Sequence, residues 1–225
     1  MLRDWDKLPQ YMRTEEVRPY YESLQKKKIS LILKRKSDFI VSLLLLLMFS
    51  PIFIVLAILI AIDSKGEVFF CQERITQYGR RFKIYKFRTM IVGAEELGSQ
   101  VTSLNDRRVT KIGKKIRQYR LDELPQLINI LMGDMSFVGT RPEVIKFVRC
   151  YTPEMMATLL LPAGITSEAS IKYKDEALLL ANAEDVDSVY VNEILSDKMK
   201  YNLDSIRKFS FLKEIATMVK TLLAV

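Results

Sequence analysis

Two adjacent carboxylates stand in the run Asp122-Glu123-Leu124-Pro125-Gln126, directly after a cation-rich segment that ends Arg117-Gln118-Tyr119-Arg120. Carboxylates hold Mg²⁺ and cations hold phosphate, so the juxtaposition suits a pocket for a nucleoside diphosphate. By itself the run also reads as a well-capped helix. Asp122 fits an N-cap, and Pro125 is tolerated in a first turn where its missing N–H costs nothing. Leu127, Ile128, Ile130 and Leu131 then continue an apolar face until Gly133 stops it. A second anion-handling segment, Gly133 to Glu143, reads as a Gly-bounded loop in which Arg141, beside Pro142, presents a bidentate guanidinium. Lys86 and Arg88 sit on a strand-like stretch, where the alternatives are a substrate-facing role and a solvated face. The chain has no histidine, which excludes every mechanism that needs an imidazole. Cys71 and Cys150 stand too far apart for a disulfide framework and form no C-x-x-C motif, in keeping with a reducing compartment.

The elements that must position these groups begin with a membrane segment. From Phe39 to Ile62 about 24 residues carry no charge, roughly 36 Å of helix, enough to cross a bilayer core. Polar, charged sequence precedes the segment and no A-x-A-like site follows it, so a cleaved signal peptide is not expected. Ser50-Pro51 lies at its centre. Pro51 removes an N–H and clashes with the Leu47 carbonyl, so a kink or break is expected there, with Ser50 satisfying freed backbone groups. Basic residues flank both ends, among them Lys34, Arg35 and Lys36 before and Lys65, Arg80 and Arg81 after, so both ends prefer the cytoplasm. The expectation is a re-entrant helix that enters one leaflet and returns; a kinked spanning helix is the alternative.

The 225 residues leave room for one good-sized domain with appendages. The net charge of +8 and pI of about 9.4 fit nucleic acid, an anionic membrane or phosphorylated substrates equally. A nucleic-acid groove needs interleaved aromatic residues, and the basic block from Asn105 to Arg120 has only Tyr119, so no nucleic-acid partner is expected. Val68 to Ile75 reads as a strand, Gln77 to Arg80 as a turn, and Phe82, Ile84 and Tyr85 as the returning strand of a hairpin. A helix is expected from about Met90 through Glu96, and another from Tyr20 to Lys36 approaching the membrane. Phe211, Leu212, Ile215, Met218, Val219, Leu222 and Leu223 recur at helical spacing, with burial against the core and seating in the membrane interface both open. The fold class is thus α+β. A membrane-embedded re-entrant helix, broken at Ser50 and Pro51, precedes a small mixed catalytic domain with amphipathic interfacial helices. The units are an N-terminal extension (1–33), the anchor (34–62) and the catalytic domain (63–225).

The motifs, in order, resemble the bacterial sugar transferases, the monotopic polyprenyl-phosphate phosphoglycosyl transferases. They are the broken apolar segment at Ser50-Pro51, Asp63-Ser64-Lys65-Gly66, Gln72-Glu73-Arg74, Tyr85 to Met90, Asp106 to Gly113, Leu121 to Leu127, Gly133 to Ser136 and Gly139-Thr140-Arg141-Pro142. The resemblance implies transfer of a sugar-1-phosphate from a nucleoside diphosphate sugar, usually a UDP-sugar, to undecaprenyl phosphate, releasing UMP as a surface glycan is begun. It implies ping-pong chemistry with Asp122 as nucleophile and Glu123 as a Mg²⁺ ligand. Arg117 and Arg141 would bind phosphate, with Lys86 and Arg88 lining the same pocket. It also implies a lipid-bilayer setting at the bacterial inner membrane, with the catalytic domain on the cytoplasmic face, and is compatible with a homodimer. Thr140 departs from the family's usual proline. The competing reading is a non-catalytic membrane adaptor of a glycan-assembly complex; intact Asp122, Glu123, Arg117 and Arg141 argue against it.

Overall fold

The structure is a computed structural model that describes residues 2–94, 106–179 and 185–224. Helix α1 (Arg18–Gln25) stops before Lys26 and Lys27, and α2 (Lys28–Asp63) begins after them. A single helix from Tyr20 to Lys36 is therefore not formed. Met12, Val17, Tyr20, Tyr21 and Leu24 pack with Ile75, Leu160, Ile206 and Phe209, so the N-terminal residues share a core with elements far along the chain.

Helix α2 carries the whole apolar segment and is long and apolar enough to cross a membrane. Of the kink or break expected at Ser50 and Pro51, a break does not occur, because the helix is continuous through Pro51. The reason is local: Pro51 has no N–H to offer the Leu47 carbonyl, and the Ser50 hydroxyl donates to that oxygen instead, at 2.8 Å. One face of α2 lies along the domain over its full length. Lys34, Asp38 and Ser42 are buried near one end and Leu56 and Ile60 near the other, with Leu45, Leu46, Phe49 and Phe53 packed between. The rest of its surface, including Ile40, Leu44, Leu47, Met48, Ile54 and Ile58, is exposed and apolar.

Strands β1 (Phe69–Ile75) and β2 (Arg81–Phe87) form the expected antiparallel hairpin, with Glu73 opposite Lys83 and Phe69 opposite Phe87. The turn between them uses left-handed residues Tyr78 (φ 60°) and Gly79 (φ 72°). Beyond β2, Met90 forms an isolated bridge with Val109, and the chain then turns at Gly93 (φ 79°). The helix expected from Met90 thus does not begin there, and its remainder from Glu95 lies outside the described residues. Helix α3 (Lys111–Gln118) starts on two side-chain acceptors. The Gly113 N–H donates to Thr110 Oγ1 and the Ile112 N–H to Asp63 Oδ2, each at 3.0 Å, tying α3 to the end of α2.

Helix α4 (Gln126–Met132) ends as its sequence dictates, at Gly133 with φ 86°. The segment that follows, read as a loop, contains strand β3 (Met135–Val138), whose Met135 and Val138 are buried. After α5 (Ile145–Val148), β4 (Ala163–Thr166) pairs in parallel with β3. The backbones of Gly139 and Gly164 approach so closely that a Cβ on Gly164 would sit 2.1 Å from the Gly139 nitrogen. The chain continues through α6 (Glu168–Lys172), α7 (Glu176–Leu179), α8 (Val186–Val189), a π-helical turn (Tyr190–Leu195), α9 (Ser196–Arg207) and α10 (Phe211–Ala224).

Helix α10 forms where its periodicity predicts, but it packs polar side inward. Glu214 pairs with Lys34, Thr217 donates to Glu168, and Thr221 bonds with Thr166, while Leu212, Ile215, Val219, Leu222 and Leu223 are exposed. Burial of its apolar face against the protein's own core is therefore excluded. Among the described residues, the mixture of helices with two small sheets agrees with an α+β class.

Candidate active site

The turn that carries Asp122 and Glu123 is made by a backbone reversal. Helix α3 gives way at Tyr119 to Arg120, which adopts φ 53°, ψ 22°. A non-glycine residue in this left-handed region costs about 1–2 kcal/mol. The reversal folds Leu121–Glu123 into a short 3₁₀ turn, and α4 does not begin until Gln126, with Pro125 in the N-cap position. Asp122 is thus not a helix N-cap, and no α-helix begins at it. Leu121 and Leu124 anchor the turn by packing against the cluster of Phe87, Ile116, Leu56 and Ile60.

Asp122 lines a cavity of about 810 Å³ together with Lys86, Arg88, Arg117, Arg120 and Arg141. Strand β2, the end of α3, the turn carrying Asp122 and the loop after β3 therefore meet where the sequence expects a phosphate pocket. Glu123 lies just behind, with its side chain 15% exposed. Its Oε1 accepts from Lys86 Nζ at 3.0 Å and from Arg141 Nη2 at 3.4 Å. Burial pushes the Glu123 carboxyl up, but Lys86 and Arg141 more than cancel this and hold it well below the usual carboxylate range. Glu123 in turn holds the Arg141 guanidinium charged. Asp122 is poised differently. Burial raises its pKa above the ordinary 3.8 and Glu123 adds to the rise, against the pull of Lys86 and Arg117.

Arg88 lines the cavity and also holds the turn after α2, donating to the Lys65 carbonyl at 2.8 Å and the Ser64 carbonyl at 2.7 Å, while its buried Nε has no partner among the described residues. For Mg²⁺, no group of three or more potential ligands occurs among the described residues. The pair nonetheless fits an ion that takes one or two carboxylates and completes its shell with phosphate oxygens and water, since Lys86 and Arg141 engage only Oε1 of Glu123.

Two supports were not legible as functional. Asn129, fully buried on α4, accepts from the Tyr85 N–H at 3.0 Å and donates to the Lys83 carbonyl at 2.8 Å, pinning β2 one residue before Lys86. An amide amid the apolar positions Leu127 and Ile130 was the available signal. Arg35, from α2, donates to the carbonyls of Ile130 and Leu131 and so closes the C-terminus of α4. Glu176, Tyr190 and Lys198, which also line the cavity, carried no motif in the sequence.

The family model described as bacterial sugar transferase matches residues 29–225. A UDP-N-acetylgalactosamine-undecaprenyl-phosphate N-acetylgalactosaminephosphotransferase of Aeromonas hydrophila is 34% identical over 89% of this chain and 45% of its own length. A UDP-glucose:undecaprenyl-phosphate glucose-1-phosphate transferase of Klebsiella pneumoniae is 39% identical over 71% of this chain and 36% of its own. The chain therefore spans less than half the length of these two relatives. A putative undecaprenyl-phosphate N-acetylgalactosaminyl 1-phosphate transferase of Bacillus subtilis (strain 168) is 42% identical over 56% of this chain and 70% of its own. With the match running from the start of α2 to the last residue, through every element that builds the cavity, this chain belongs to the bacterial sugar transferase family.

Proposed function

We propose that this protein transfers a sugar-1-phosphate from a UDP-sugar to undecaprenyl phosphate, releasing UMP, as the first membrane step of a surface glycan. The observation that carries the reading is one cavity in which Asp122 meets Lys86, Arg117 and Arg141, while Glu123 fixes two of those cations from behind. The names of the relatives support the substrate pair.

The chemistry follows from the residues. An Asp122 carboxylate oxygen attacks the sugar-bearing phosphorus, the bond from that phosphorus to the bridging oxygen breaks, and UMP leaves with the bond's electron pair. An oxygen of the lipid phosphate then attacks the same phosphorus, the Asp122–phosphorus linkage breaks, and the carboxylate is regenerated beside the new lipid diphosphate-sugar. A carboxylate needs no general base, so the absence of histidine is no obstacle. Lys86, Arg117 and Arg141 bind and neutralise phosphate oxygens in a partly buried setting, where charge is poorly screened. Glu123 would hold Mg²⁺, with Asp122 adjacent; the ion would act as a Lewis acid on the diphosphate.

The setting is the bacterial inner membrane, with the catalytic domain on the cytoplasmic face. A re-entrant placement of α2, turning back at a kink at Pro51 within the continuous helix, is supported by its packing. Lys34 donates to the Val138 carbonyl near one end, and Asp63 accepts from Ile112 at the other, so both ends are held by one domain. The outward apolar face of α10 supports a seat in the same interface. The test is UMP release from a panel of UDP-sugars with Mg²⁺ and undecaprenyl phosphate. Asp122→Asn should abolish release and covalent capture of β-³²P from the donor. Undiminished turnover by Asp122→Asn would overturn the assignment.

A further inference from the structure

The cavity extends well past the phosphate pole, and the chemistry changes along it. One part of its lining, Gly66, Glu67, Ile91 and Val92, adjoins the turn after α2 that Arg88 holds, with Ile91 and Val92 exposed. Another part, beyond Arg141, is Glu143, Ser170, Tyr173, Glu176, Tyr190 and Lys198. This second pole is built on the cluster of Val144, Phe147, Tyr190, Leu195 and Met199, which among the described residues draws nothing from α2. Its charges are paired with each other. Lys198, only 5% exposed, contacts Glu176 at 2.7 Å and lies 5.4 Å above the Tyr190 ring, whose hydroxyl donates to Glu143 at 2.6 Å.

Double displacement at phosphorus decides which half of the donor goes to which pole. Asp122 enters opposite the departing nucleotide, and the acceptor phosphate must then enter opposite Asp122, on the side the nucleotide has left. The acceptor arrives from the membrane, so nucleotide and acceptor phosphate share the membrane-side pole and the sugar has the other. Resting on the proposed reaction, we infer that Glu143, Glu176, Tyr190 and Lys198 form the donor's sugar subsite and select a neutral hexose or N-acetylhexosamine. The carboxylates and the Tyr190 oxygen offer acceptors to sugar hydroxyls, and a uronic acid would find Lys198 already committed to Glu176.

The experiment compares wild type with Tyr190→Phe and Glu176→Gln. It measures kcat and KM for UDP-glucose, UDP-galactose and their N-acetylated and glucuronate counterparts, together with inhibition by UMP. Wild type should use UDP-glucuronate worst. The variants should raise donor KM and shift the UDP-glucose to UDP-galactose ratio of kcat/KM by about tenfold, the order expected for one lost hydrogen bond, while UMP inhibition stays unchanged. If UMP inhibition weakens in step with donor KM, the pole binds the nucleotide and the inference falls. It also falls if the sugar ranking is unmoved, or if UDP-glucuronate is the preferred donor. Tyr190→Phe, which keeps the buried ring, decides the matter if Glu176→Gln fails to fold. A wild type that releases no UMP from any donor would instead refute the underlying reaction.

Discussion

Removing Lys86 tests whether the site is held together electrostatically from within. Lys86 Nζ lies 3.0 Å from Glu123 Oε1, and the two side chains are 22% and 15% exposed. At an effective dielectric of about 20, unit charges at this distance attract by about 5 kcal/mol before desolvation is subtracted. In Lys86→Met, Glu123 keeps Arg141 at 3.4 Å but loses its nearer cation. Breaking one side of a buried pair costs about 3–5 kcal/mol; with Arg141 remaining, the lower end, about 3 kcal/mol, is expected. For a domain of this size that lowers the melting temperature by roughly 6–12 °C. Glu123→Gln should destabilise by a similar mechanism. The double variant removes both charges of the pair, and Arg141 loses Glu123 in it as in Glu123→Gln alone, so it should be more stable than the sum of the singles predicts by at least about 1.5 kcal/mol. Thermal unfolding of the four proteins in one detergent, at low and high salt, measures this coupling. Additivity within about 0.5 kcal/mol would refute the reasoning, because it would mean that the pair is screened as surface pairs are.

Asn129→Leu should cost about 2–5 kcal/mol, because it strands the buried Tyr85 N–H and Lys83 carbonyl, and it should lower UMP release by loosening Lys86. A melting temperature within about 2 °C of wild type would contradict that role. The raised pKa of Asp122 makes a prediction of opposite sign to its catalytic one. A carboxyl that binds its proton more tightly in the folded state than in the unfolded state lowers stability as pH rises through its folded pKa. Asp122→Asn should therefore melt higher than wild type at neutral pH while being inactive. The wild-type single-turnover rate should fall, as pH is lowered, through a midpoint above the ordinary 3.8. An acid limb at or below that value, or a less stable Asn variant, would refute the burial argument.

Much of the scaffold was legible because it is written in short-range periodicity. Alternation of Phe82, Ile84 and Tyr85, with turn residues Gln77 to Arg80, is sufficient for the hairpin, and Gly133 stops α4 because a left-handed C′ residue favours glycine. The apolar run dictates one long membrane-type helix, and residue types alone confine the chemistry to carboxylates and cations. The convergence of Asp122, Lys86, Arg117 and Arg141 was anticipated from motif order. What only the tertiary structure decided depends on partners distant in sequence. The Lys86 and Glu123 contact spans 37 positions, and the Asn129 and Tyr85 contact 44. Asp122 reads as an N-cap until Arg120 turns left-handed before it, and only the packed chain shows Arg88 also bonding the carbonyls of Ser64 and Lys65. Pro51 was expected to kink or break α2; the Ser50 hydroxyl occupies the orphaned carbonyl and the helix continues without a break. Helix α10 has the amphipathic period of a core helix, yet its polar face is the buried one, because Lys34, Glu168 and Thr166 wait there. Local spacing specifies which faces exist; what each face meets is a property of the packed chain.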